Sequence, residues 1–133
     1  MRQELITKLN AFVAQKKYEE LKQYIMESDS DERWNIMLEL ECMTAQNDDL
    51  FQFLYEINNA NDSKEFDRDE ESFFANILIY SCNKADDIKW FIKKMKEHNL
   101  TPTQVITAGK KIFGCGEIGE NDILYLEMLS EIY

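Results

Sequence analysis

Apolar residues recur along this chain at the three- and four-residue intervals of amphipathic helices, in segments parted by short polar breaks. Residues 2–14 place Leu5, Ile6, Leu9, Phe12 and Val13 at that spacing. Gln15-Lys16-Lys17 interrupts the pattern, and Tyr18, Leu21, Tyr24 and Ile25 resume it. A second break, Glu27 to Glu32, offers Ser28 or Ser30 as a cap for the next helix, with acids in the first turn. The third segment runs from about Asp31 to Ala45, with Trp34, Met37, Leu38, Glu41 and Cys42 on one face. Gln46-Asn47 is a turn, after which Leu50, Phe53, Leu54 and Ile57 form the inner face of a fourth helix. Asn58 to Asp69 is the longest polar stretch and the only candidate boundary within the chain.

Beyond it, a fifth helix over about 69–83 carries Phe73, Phe74, Ile77, Leu78 and Tyr80. A sixth over about 86–98 carries Ile88, Phe91, Ile92 and Met95. Lys93, Lys94 and Lys96 suit its negative dipole end, and Asn99 suits a left-handed stop. Thr101-Pro102 supplies a cap and a first helical residue for a seventh helix holding Val105, Ile106, Ala108, Ile112 and Phe113. Gly114 to Gly119 contains three of the four glycines and reads as a turn before a last helix, about Asn121 to Tyr133.

One short pattern repeats: Asp48-Asp49-Leu50-Phe51-Gln52-Phe53-Leu54, Asp86-Asp87-Ile88-Lys89-Trp90-Phe91, Asn121-Asp122-Ile123-Leu124-Tyr125-Leu126, and more faintly Glu19-Glu20-Leu21. A polar, mostly acidic pair accepts hydrogen bonds from first-turn amides and opposes the positive helix end, while the apolar residue after it begins the buried face. The anchors Leu21, Leu50, Ile88 and Ile123 lie 29, 38 and 35 residues apart. Periods of that size mark stacked helix–turn–helix units. The expected fold is therefore a single all-α domain over residues 1–133, with about eight antiparallel helices in four hairpins, as a short right-handed solenoid-like array or a compact bundle.

Residues 91–102, FIKKMKEHNLTP, resemble the end of the second helix of a pentatricopeptide repeat, and TQVITAGKKIFGCGEIGENDILYLEML is similar to the unit that comes after it. Pentatricopeptide arrays bind RNA, and the related tetratricopeptide and HEAT-type arrays bind peptides and proteins. The resemblance implies stacking of helical hairpins; no functional residue carries over from it.

Composition narrows the function. The chain has 133 residues and a net charge of −11, with 44% apolar and 12% aromatic residues, which suits a folded domain of ordinary size. An acidic chain is a poor ligand for a nucleic-acid backbone or an anionic membrane and a good one for a basic protein. The charge is uneven: residues 1–83 sum to −10, 84–111 to +4 and 112–133 to −5. The amino terminus lacks the form of a secretory signal, and nothing approaches the roughly 20 apolar residues of a membrane span. Three scattered cysteines fit a reducing compartment, so a cytoplasmic location is expected.

Catalytic chemistry is sparse. The one histidine, His98, ends a lysine-rich helix and reads as a surface or terminal residue at the dipole's negative end. Cys42, Cys82, Cys115 and His98 lack the close pairing of structural zinc ligands; the cysteines read as small buried thiols, apart from Cys115 in its Gly-Cys-Gly turn. Neither a Glu-x-x-His motif, a calcium loop nor a phosphate-binding glycine loop is present. No enzyme activity, cofactor or metal is expected.

Two features remain for binding. The acids outside the repeated pattern, in the stretches 27–32 and 62–71, form candidate docking clusters: Asp29, Asp31, Glu32, Asp67, Asp69, Glu70 and Glu71. Aromatics off the main helical faces form candidate anchors: Trp90 and Tyr125, with Phe51 and Met43 similarly placed. The function expected is a non-enzymatic inhibitor or immunity-type protein that occludes a basic, nucleic-acid-processing partner such as a nuclease, with carboxylates in place of phosphates. The alternative is a scaffold or adaptor holding a peptide or helix in a repeat groove. The apolar residues of the final helix leave a homo-oligomer open.

Overall fold

A computed structural model of the chain describes residues 2–58 and 69–113. Seven α-helices, and no strand, occur among the described residues. The expected eighth helix, the Gly114–Gly119 turn, Cys115 and the anchor Ile123 lie outside them. The chain divides into two compact units, Met1–Asp67 and Arg68–Tyr133.

The first unit contains α1 (Arg2–Ala14), α2 (Tyr18–Glu27), α3 (Ser30–Cys42) and α4 (Asp48–Asn58). α1 packs on α2 and α3, and α3 packs on α2 and α4. Its core is Leu9, Leu21, Ile25, Ile36, Met37, Leu40, Leu50, Phe51 and Leu54. The second unit contains α5 (Glu70–Ser81), α6 (Ala85–Glu97) and α7 (Pro102–Phe113). Here α5 is central and packs on α6 and, most extensively, on α7. Its core is Phe73, Phe74, Ala75, Ile77, Phe91, Ile92, Met95, Val105 and Ile106.

Local chemistry sets the helix ends. α1 stops at Lys16, whose φ of 54° is left-handed, and the Lys17 amide reaches back to Phe12 O at 2.9 Å. α6 stops in the same way, with Asn99 at φ 58° and the Leu100 amide on Met95 O at 2.9 Å. Gln46, at φ 64°, makes the turn before α4. Thr101 and Gln104 form a reciprocal capping box at α7: the Thr101 amide donates to Gln104 Oε1 at 2.8 Å and the Gln104 amide to Thr101 Oγ1 at 3.2 Å.

Several positions differ from the sequence reading. Neither Ser28 nor Ser30 caps α3. Asp29 does, with its carboxylate accepting the Glu32 amide at 2.9 Å, while Ser28 Oγ donates to Tyr24 O at 2.9 Å. At α4 the cap is Asn47, whose side-chain oxygen accepts the Leu50 amide at 3.1 Å, and Asp48-Asp49 occupy the first turn. At α6, Asp87 is buried and accepts the Asn83 amide at 3.0 Å.

The core faces of α3 and α4 are also displaced. On α3, Ile36 and Leu40 join Met37 in the core, whereas Leu38 is 37% exposed and Cys42 is exposed rather than buried. α3 meets three other helices, so it has no uniformly polar side, and Glu39 and Glu41 are buried along with its apolar residues. On α4 the buried residues are Leu50, Phe51, Leu54 and Asn58. Phe51, expected off the face, is 1% exposed, while Phe53 and Ile57 are only half-buried. The buried face is rotated by roughly 60° from the sequence estimate, at 100° per residue.

Candidate functional site

The displaced face of α4 borders a concavity in the first unit. α2 and α4 meet near their amino ends, where Lys16 Nζ lies 3.1 Å from Asp49 Oδ2 and the Tyr18 and Phe53 rings pack with centroids 5.3 Å apart. From that contact a cleft of about 440 Å³ runs toward the carboxyl ends of both helices. Tyr18, Ile25 and Met26 from α2 and Phe53 and Ile57 from α4 give it an apolar lining. Helical spacing explains the set: 18, 22, 25 and 26 share one face of α2, and 49, 52, 53, 56 and 57 share one face of α4.

Ile25 is the buried floor, Tyr18, Phe53 and Ile57 are half-buried, and Met26 is 49% exposed. The rim is charged, with Glu19 and Lys22 on α2 and Asp49 and Glu56 on α4. Gln52 Nε2 donates to Glu56 Oε1 at 3.1 Å along that edge. The Tyr18 hydroxyl titrates above its ordinary value, because burial and then the Asp49 carboxylate disfavour the phenolate, partly offset by Lys16.

The acids of the first predicted cluster sit at the α2–α3 corner. Asp29 is the α3 cap, and Asp31 and Glu32 are exposed in its first turn. The Tyr24 hydroxyl donates to Glu32 Oε1 at 3.3 Å. Burial, then Glu32, raises the Tyr24 pKa. The Arg33 guanidinium turns back on α2, donating to Ile25 O at 3.0 Å and Met26 O at 2.6 Å, and so caps that helix's carboxyl end. Lys8 Nζ lies 4.1 Å from the centroid of the Tyr24 ring. One carboxylate of this cluster is thus structural, and the other two face solvent.

The second cluster gathers at the start of α5. Asp69 caps it by accepting the Ser72 amide at 2.8 Å. Glu70 Oε1 lies 3.3 Å from His98 Nδ1. His98 is therefore more than a terminal residue: its ring also meets Phe74 edge-on at 5.4 Å, so it joins α5 to the end of α6. Glu71 is half-buried beside a shallow cleft of about 360 Å³, lined also by Asp69, Ser72, Thr103, Gln104, Thr107 and Ala108. Trp90 is half-buried on α6. Asp67 and Tyr125 lie outside the described residues. The described candidates are divided between the units: Asp29, Asp31 and Glu32 belong to the first, and Asp69, Glu70, Glu71 and Trp90 to the second.

No group of His, Cys, Asp and Glu with the arrangement of a metal site occurs among the described residues. Cys42 is exposed, whereas burial, then the Asp87 carboxylate, pushes the Cys82 thiol up to about 12 and leaves it protonated near neutrality. No described helix is long and apolar enough to cross a membrane. The cleft escaped sequence reasoning because Phe53 and Ile57 have the spacing of core residues; the one local signal was Met26, an apolar residue off the Leu21–Ile25 face. No protein-family model, curated protein or solved structure matches the chain.

Proposed function

We propose that this chain is a non-enzymatic protein-binding module of the inhibitor or immunity type, which occludes a basic, nucleic-acid-processing partner. The observation that carries this reading is the pairing, within one unit, of an acidic surface with an open apolar cleft. Residues 1–67 hold 15 acidic and 7 basic side chains, net −8. Glu19, Glu20, Asp31 and Asp48 stand exposed on its helices. Carboxylates steer and select a basic partner, and half-buried apolar groups supply the desolvation that holds it. Contacts of α1 with α3 and of α5 with α7, each between alternate helices, support stacked units as the scaffold.

Affinity capture from the native cell, followed by titration of the purified partner against salt, tests the reading. The partner is expected to be basic, to be displaced by duplex DNA or RNA, and to bind at least about tenfold more weakly at 0.5 M than at 0.05 M salt. A neutral partner that binds independently of salt and of nucleic acid overturns it and favours an adaptor holding a peptide in the cleft.

A further inference from the structure

From the α2–α4 cleft we infer the docking element of that partner: a short amphipathic helix with an apolar stripe and lysine or arginine flanks. The inference rests on the protein-binding reading and assigns it a place. Both walls of the cleft are helices, whose backbone groups are already hydrogen-bonded within each helix. An extended peptide would find no ladder of donors and acceptors there, whereas a helix brings its own backbone hydrogen bonds. The lining from Tyr18 to Met26 spans about 12 Å, the length of roughly two helical turns. Apolar side chains at i, i+3 or i+4 and i+7 of an incoming helix would meet Tyr18, Phe53, Met26 and Ile57 in turn.

The rim sets the charge of the occupant. Lys16 lies against Asp49, so Glu19 and Glu56 outnumber the remaining base, Lys22. Arg33 serves the carbonyls at the carboxyl end of α2. The last turn of α4 has no base and carries Glu56, so its negative dipole end and a carboxylate add together on that side of the cleft. A cation is favoured there, and the surrounding unit at −8 favours a basic segment over an acidic one. The last 22 residues of this chain, at −5, are mismatched to it on charge.

The test uses the full chain and a fluorescein-labelled 14-residue probe of leucine and lysine, with leucines at the helical stripe positions, read by anisotropy. Its control is the same composition scrambled to break the stripe. The striped probe is expected to bind at least about tenfold more tightly than the scrambled one, the worth of roughly one buried apolar anchor. Met26→Asp and Glu56→Lys should each weaken the striped probe severalfold, with unchanged thermal unfolding. Glu20→Lys, an exposed α2 position outside the cleft lining, should weaken it less than Glu56→Lys. Equal affinity for both probes, or full affinity in Met26→Asp, overturns the cleft assignment. If both probes still bind in a salt-dependent way, the acidic-module reading survives that failure. If neither binds, both fall. A chain that self-associates through the cleft, and is made monomeric by Met26→Asp, also overturns the assignment in favour of a second copy.

Discussion

The two units use the same helical vocabulary and finish it differently. In the second, α5 packs on both α6 and α7, and its Phe74 is fully buried and meets Phe73, Phe91 and His98 through ring contacts of 5.4–6.0 Å. In the first, α2 and α4 touch at one end and leave Tyr18, Phe53, Ile57 and Met26 partly open. The acid pairs show the same contrast. Asp49 lies on the surface against Lys16, whereas Asp87, at the equivalent place in α6, is buried and bound to the Asn83 amide. In its three described copies the repeated local pattern sits at a helix start but leaves open whether its residues end in a core or on a binding surface. Aromatic closure makes the second unit the place to expect large stability effects, and incomplete closure makes the first the place to expect effects on binding.

The strongest test of that contrast replaces one ring in each unit. Phe74→Ala removes a fully buried aromatic and is expected to destabilise the second unit by about 3–5 kcal/mol, with loss of hydrogen-exchange protection in α5–α7. Phe53→Ala removes a half-buried ring and is expected to cost about 1–2 kcal/mol, with its larger consequence in partner affinity. Comparable losses in denaturant titration would erase the distinction.

The two described cysteines give a second comparison. Cys82 has a folded pKa raised from 9.0 to about 12, so its neutral thiol contributes stability that is complete below pH 9 and is lost as pH climbs from 9 toward 12. At pH 10 the loss is on the order of 1 kcal/mol by linkage. A Cys82→Ala variant should therefore show a flatter alkaline stability profile than the parent. Alkylation of the native chain at pH 8 should modify exposed Cys42 well before Cys82.

The capping acids provide a third test, because it separates structure from docking. Asp29→Ala and Asp69→Ala should each cost about 1 kcal/mol, while Asp→Asn at either site keeps the cap and removes the charge. Asn variants that hold their melting temperature but bind a basic partner more weakly would give these carboxylates a second role; unchanged binding would leave them structural. The smallest effect is expected at Gln46, whose positive φ suits glycine, so Gln46→Gly should stabilise the chain by roughly 0.5–1 kcal/mol in thermal unfolding.

Much of this architecture was legible in the sequence because helix boundaries are written locally. The breaks at Lys16, Gln46 and Asn99, the Thr101-Pro102 start and the seven helical segments all arise from side chains that act on backbone within a turn or two. The acids of the candidate site were legible as clusters, but their roles were not. Asp29 and Asp69 become caps, and Glu70 lies beside His98, which is 28 residues away in sequence.

What the sequence determined by itself is where helices begin and end to within a residue or a few, and that the first unit is strongly acidic, since propensity and charge are properties of neighbours along the chain. The apolar spacing also marked the buried sides of α2, α6 and α7, but only the tertiary structure decided which side of α3 and α4 is inside. Periodicity fixes a helical stripe to within about one residue, or 100°. On α4 a rotation of that order separates a core containing Phe53 and Ile57 from one containing Phe51, and the second choice is what leaves the cleft open. On α3, neighbours on three sides bury Glu39 and Glu41, which no pattern of apolar residues could mark. Which surface a helix buries depends on the neighbours it meets, and those contacts are made across long stretches of sequence.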